Sequence, residues 1–203
     1  MEVPRQLIEL PQGTNWPGFI RRTAFWIGFA IPFFMVMPLV GFETLGNYAL
    51  ALQVFFVLTM FSKIIYNYTL PHDSTGDTKI KIKIIALVFA VIITILGITI
   101  IPIIISNVFP DYTDSVIAIQ IISLAVVPST ITLMVSSTIL GNENSKIILV
   151  SRILFASTII TLIVILTPIY GIVGTTSSFV VASTIQAIIL FTCQKRLRNS
   201  QDR

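Results

Sequence analysis

The stretch LTPIYGIVGTTSS, residues 166–178, interrupts a long apolar region with one Pro, one Tyr and two Gly. The chain carries no Asp, Glu, Lys or Arg between Arg152 and Lys195. Pro and Gly together are typical of turns, and the apolar flanks on both sides are long enough to cross the hydrocarbon of a membrane as helices. We therefore predict a tight turn at 168–174 between two membrane-spanning helices.

The composition of the whole chain is that of a membrane protein. Of its 203 residues 55% are hydrophobic and 11% are charged, and the mean hydropathy is +0.93; about 25% of the residues in an ordinary soluble domain are charged. Helices are the expected spanning structures, because in lipid each crossing satisfies its own backbone hydrogen bonds. Six apolar stretches have the required length: 23–40, 48–68, 84–106, 115–138, 147–167 and 173–192.

These stretches predict an all-α integral membrane protein with three parts. A polar, amphipathic lead-in covers residues 1–22, a bundle of six transmembrane helices covers 23–194, and a basic tail covers 195–203. The lead-in has no apolar core followed by a cleavage site, so we do not expect it to act as a signal peptide.

The distribution of basic residues predicts the orientation. All 13 Lys and Arg fall in the lead-in, near the second and fourth connections, or in the tail. Positively charged flanks stay in the cytoplasm during insertion. We therefore expect a multi-pass protein of the cytoplasmic membrane with both termini inside.

Small residues form a stripe on the last predicted helix. Gly174, Ser178 and Ala182 recur at every fourth position, a spacing that lets transmembrane helices approach closely. The alternative is that these small residues face lipid.

Three stretches resemble a known family. The stretch 38–61 contains Leu-Gly-x-Tyr and 108–129 contains Phe-Pro-x-Tyr. The stretch 139–183 contributes a set of spaced residues: Leu140, Gly141, Lys146, Pro168, Tyr170, Gly171 and Gly174. In order and spacing they resemble the C-terminal half of polysaccharide flippases, members of the multidrug/oligosaccharidyl-lipid/polysaccharide exporter superfamily. The resemblance covers roughly 17–194.

The resemblance implies a function as well as a fold. Family members have two six-helix bundles around a central cavity that opens to each side in turn, and they move lipid-linked oligosaccharide across the membrane without breaking a bond. The chain would then be a half-transporter or fragment, not an enzyme, and its partners would be membrane lipid, the lipid-linked glycan and a second six-helix half. The alternatives are half of a drug or small-molecule exporter, and a non-transporting subunit or truncated product.

A cavity for such a substrate needs cations for the pyrophosphate, and hydroxyl or amide groups for the sugar. Lys63 and Arg152 lie inside predicted spans, where an intramembrane cation marks a candidate site; the alternative is that both extend to the headgroups. Arg21 and Arg22 lie at the cavity mouth or at the inner membrane surface. The polar candidates within the spans are Gln53, Gln120, Ser129 and Thr132.

Two proline residues are candidate hinges. Pro32 lies in the first predicted span and Pro128 in the fourth, and interrupted helices are common at transporter binding sites. The alternative is that each is tolerated as a plain kink.

The sequence favours no other chemistry. None of the nine acidic residues falls inside a predicted span, and one His with one Cys cannot form a metal site. We therefore expect no catalytic residue, metal or cofactor. The basic residues are spread over several membrane flanks, which argues against a nucleic-acid partner.

Overall fold

The computed structural model describes residues 16–75, 79–108, 115–141 and 145–201, with side chains from residue 41 onward except 43, 106, 108 and 198–201. The first 15 residues of the predicted lead-in therefore lie outside the described residues. The described chain is all helical, as expected for apolar segments that satisfy their own backbone hydrogen bonds. The helices are α1 (Trp16–Ser74), α2 (Ile80–Val108), α3 (Ser115–Ser123), α4 (Val126–Gly141) and α5 (Ser145–Gln201).

Four helical stretches in the described residues are long and apolar enough to cross a membrane. They are Thr44–Ser74, Ile80–Ile105, Ser115–Gly141 and Ser145–Leu197. The all-α class and its compatibility with a membrane are therefore confirmed. The predicted span 23–40 falls within the helical backbone of α1, whose side chains there are outside the described part.

Helix α5 is folded back on itself at Gly171, where φ is 57°. The Thr167 and Thr175 hydroxyls are 3.0 Å apart, and the Phe155 and Phe179 ring centroids are 6.0 Å apart. Twenty-four residues of straight helix would separate those rings by about 36 Å. The first arm (145–170) and the second arm (172–201) are therefore packed antiparallel, and their reversal lies inside the turn predicted at 168–174.

Gly174 lies where the two arms are closest. A Cβ atom there would be 2.3 Å from the carbonyl oxygen of Leu166, a distance that real Cβ atoms do not reach. Ser178 and Ala182, one and two turns later, are fully buried. The structure thus places all three residues of the small-residue stripe inside the bundle, with Gly174 against the backbone of the first arm.

Helix α1 also contains a break, at Gly41, where φ is 83°. The hinge residue predicted for this part of the chain was Pro32, but the backbone stays helical at Pro32, whose side chain is outside the described part. A positive φ is readily adopted by Gly and not by Pro, whose ring fixes φ near −65°. The interruption therefore falls at the glycine, in the connection predicted between the spans 23–40 and 48–68.

The other predicted hinge, Pro128, lies just after the break between α3 and α4. The amide of Ala125 donates to the carbonyl of Ile122 at 3.0 Å, a tighter turn than that of an α-helix. Proline has no N–H to give to the carbonyl four residues earlier and its ring crowds that carbonyl. Since that carbonyl belongs to Leu124, the chain bends at 124–125 and continues as α4.

Polar contacts tie α1 to α3 and α4. Ser115 donates to Asn47 at 2.7 Å. Ser62 and Thr130 are 2.8 Å apart, and because Thr130 donates to the carbonyl of Val126, Ser62 is the donor of this pair. Residue numbers rise together along both partners, so α1 runs parallel to α3 and α4.

Asp73 departs from the expectation that no acid lies inside a span. The predicted loop at 71–79 is helical as far as Ser74, and the Asp73 side chain is buried at the end of α1. Its Oδ2 atom accepts hydrogen bonds from Lys83 at 2.5 Å and from Ser137 at 2.6 Å. An ion pair therefore joins the end of α1 to the start of α2, and a hydrogen bond from Ser137 joins the same carboxylate to α4.

We predict that Gly174→Ala lowers the melting temperature of the chain in detergent. The added methyl group must displace the Leu166 carbonyl, and overpacking of this kind costs about 1–3 kcal/mol. The matched control is Gly46→Ala, because nothing lies within 4 Å of a Cβ at Gly46, which is also helical. Equal melting temperatures for the two variants would contradict the close approach of the arms.

Candidate functional site

A small cavity lies between α1, α4 and both arms of α5. Its volume is about 100 Å³. The lining comprises basic, hydroxyl, amide and apolar side chains: Phe55, Phe56, Thr59, Lys63, Ser129, Thr132, Leu133, Arg152, Phe155, Phe179, Ser183 and Gln186. Four of the residues predicted to bind substrate are therefore brought together here, from three separate segments of the chain: Lys63, Ser129, Thr132 and Arg152.

Lys63 points along its helix toward the interior of the bundle. Helix α1 continues for eleven residues beyond it, to Ser74, so Lys63 does not lie at a helix end. Its ammonium nitrogen is 4.7 Å from the ring centroid of Phe56, seven residues earlier. The side chain thus extends away from the nearer end of the helix. This direction favours a position of the ammonium group in the cavity over a position at the lipid headgroups.

Arg152 supplies the second cation, from the first arm of α5. Among the described residues that line the cavity none is acidic, so the formal charge of the lining is that of Lys63 and Arg152 alone. Charges interact more strongly where water is scarce. The arrangement can therefore hold an anionic group.

The hydroxyl groups that line the cavity differ in whether they already donate a hydrogen bond. Thr59 donates to the carbonyl of Phe55 at 2.9 Å and Ser183 to the carbonyl of Phe179 at 2.8 Å. The hydroxyl oxygen of Thr132 is buried and has no hydrogen-bond partner. Because an unpaired buried hydroxyl costs free energy, Thr132 is the group of this lining best placed to donate to a bound anion.

Aromatic rings fix the relative positions of the elements that carry these groups. The Phe179 ring contacts Phe55 of α1 at 5.0 Å between centroids and Phe155 of the first arm at 6.0 Å, both edge to face. Such pairs are worth about 0.5–1.5 kcal/mol beyond their burial. The sequence did not single out these residues, since an aromatic ring in an apolar run has no local signal of its position.

Four predicted residues are not shown in the cavity. Gln53 is exposed. Gln120 donates to the carbonyl of Ile98 at 3.3 Å, a contact between α3 and α2. The side chains of Arg21 and Arg22 lie outside the described residues.

The size of the cavity limits its occupant. Ligand pockets usually have about 300–1,000 Å³, so about 100 Å³ accommodates a group of the size of a phosphate and not an oligosaccharide. In the part of the chain that the structure describes, no group of three or more His, Cys, Asp or Glu residues could hold a metal ion. The chemistry available is binding of a small anion by two cations and a hydroxyl group.

Comparison with known proteins does not identify the chain: it matches no family model, and no curated protein or solved structure is significantly similar to it.

We predict that Thr132→Val raises or preserves the melting temperature in detergent without added ligand. The substitution removes a buried hydroxyl that has no partner, a group whose burial costs about 1–3 kcal/mol. The matched control is Thr130→Val on the same helix, which leaves Ser62 without its acceptor and should lower the melting temperature. If Thr132→Val lowered the melting temperature as much as Thr130→Val does, the Thr132 hydroxyl would already have a hydrogen-bond partner.

Proposed function

We propose that this chain is one half of a membrane transporter that moves a lipid-linked, phosphate-bearing oligosaccharide across the cytoplasmic membrane. It works by alternating access together with a second six-helix half. The chain takes no part in bond cleavage, and the Lys63 and Arg152 side chains bind the phosphate groups of the substrate.

The observation that carries this proposal is the meeting of Lys63 and Arg152 in one cavity between helices able to span a membrane. Charged residues at membrane depth are costly, and they occur mainly where they line a substrate pathway or have partners. Two cations in one lining suit an anion. The resemblance of 38–61, 108–129 and 139–183 to the C-terminal half of polysaccharide flippases adds the class of substrate.

Six crossings with both termini in the cytoplasm fit this proposal. A straight helix of the 57 residues of α5 would be about 85 Å long, against a hydrocarbon core of about 30 Å, and the reversal at Gly171 divides it into two arms of suitable length. The break at Gly41 divides α1 in the same manner. The basic residues predict which ends face the cytoplasm.

Because the cavity is small, the second half must contribute the space that holds the sugar. Space of about 100 Å³ takes the phosphate and leaves the sugar outside, so the sugar would lie between the two halves. The same small volume favours one alternative, a half-exporter of small anionic amphipaths, in which the whole polar group of the substrate fits beside Lys63 and Arg152.

We predict that Lys63→Gln and Arg152→Gln each reduce surface glycan about tenfold or more in cells whose glycan export depends on this chain. Loss of one charged partner of a buried anion costs about 2–5 kcal/mol, and tenfold corresponds to about 1.4 kcal/mol. Protein levels in the membrane should stay unchanged.

The control is Lys146→Gln, which removes an exposed cation from the first turn of α5. Normal glycan with both cavity variants would rule out their binding role. Normal glycan together with loss of resistance to small anionic compounds would instead support the small-molecule exporter.

We predict that native mass spectrometry of the chain, extracted gently from its own membrane, shows a complex with a second copy or with another six-helix chain. Half of a cavity cannot shield a sugar, so the second half is necessary for transport. A lone 22.5 kDa species would contradict the half-transporter and favour a non-transporting subunit or truncated product.

A further inference from the structure

A second, larger cavity forms a groove between α2, α4 and the second arm of α5. Its volume is about 790 Å³ and its lining is almost entirely apolar. The second arm contributes a stripe of side chains with helical spacing to it: Val180, Thr184, Ala187, Ile188, Phe191 and Thr192. The charged residue in this lining is Lys83, near the start of α2.

The length of the groove is similar to the thickness of one leaflet of a membrane. From Val180 to Thr192 the helix rises about 18 Å, and half of a hydrocarbon core of about 30 Å is about 15 Å. A groove of this length therefore matches an acyl chain that extends from the boundary of the hydrocarbon to its middle.

One end of the groove is basic. Leu190 packs in one cluster with Ile139 and Ile148, which places the end of the stripe beside the end of α4 and the start of α5. Lys195 and Arg196, both exposed, follow Thr192 by three and four residues, and residues at these spacings share a helix face. The Lys83 ammonium lies at the same end, because its partners Asp73 and Thr138 belong to the ends of α1 and α4.

We infer that this groove binds one acyl chain of an anionic phospholipid whose phosphate lies beside Lys195 and Arg196. The apolar stripe matches a chain that reaches the middle of the bilayer, and the basic end matches a negatively charged headgroup at the boundary. The lipid fills space between three helices as a constituent of the fold, and it does so whether or not the chain transports glycan.

The experiment is native mass spectrometry of the chain from mixed micelles that contain phosphatidylglycerol and phosphatidylcholine with identical acyl chains. We expect one retained lipid per chain, with phosphatidylglycerol favoured about fivefold for each basic residue near the headgroup. Lys195→Gln with Arg196→Gln should abolish the preference for phosphatidylglycerol.

A larger side chain in the groove tests whether the acyl chain of the lipid lies there. Thr184→Trp places an indole ring in the groove from an exposed position and should abolish retention of both lipids while the melting temperature stays within the range of the parent. Ile153→Trp, at a side chain that is 60% exposed on the first arm, should retain lipid as the parent does.

Three outcomes would overturn the inference. One is equal retention by the Thr184→Trp and Ile153→Trp variants. Another is a parent chain that arrives free of lipid but as a dimer, which would show that a second copy covers the groove. The third is displacement of phospholipid by an isoprenoid phosphate at equal concentration, which would assign the groove to the tail of the transported substrate.

Discussion

The scarcity of water in a membrane is the constraint on which the rest of this structure depends. A hydroxyl group there finds its partner within the protein or remains unpaired, at a cost in free energy. Most described Ser and Thr hydroxyls donate to a carbonyl three or four residues earlier on their own helix, as Thr94 does to Ala90 at 2.8 Å. Within the described part, two buried side-chain oxygen atoms lack a partner, Oδ1 of Asp73 and Oγ1 of Thr132.

Both unpaired oxygens, on α1 and on α4, belong to residues that share a site with a charged side chain. Thr132 shares its cavity with Lys63 and Arg152, and Asp73 pairs with Lys83. Unpaired buried atoms of this kind persist where a water molecule, an ion or a function accounts for them. A buried ion pair also costs desolvation that an apolar pair would avoid, so the polar groups of α1 and α4 are hard to explain as contributions to stability alone.

Local patterns predicted the all-helical class and the turn at 168–174, because apolar length, Pro and Gly act on the nearest turns of the chain. The reversal at Gly171 and the bend four residues before Pro128 follow from this chemistry. The cavity candidates Lys63 and Arg152 could be named, but only the packing of α1 against α5 brings them together. Asp73 was missed because Pro71 and His72 beside it are typical of a loop, while its burial depends on Lys83 and Ser137 from other helices.

The reversal at Gly171 also bears on how the chain enters a membrane during synthesis. Moving a charged side chain through the centre of the hydrocarbon costs about 2.5–3.5 kcal/mol on insertion scales, and the hairpin between Arg152 and Lys195 contains none. The Thr167 hydroxyl donates to the Thr175 hydroxyl, which in turn donates to the Gly171 carbonyl. These polar groups of the turn are therefore hydrogen-bonded within the hairpin. The two arms can therefore leave the translocon as one preassembled unit.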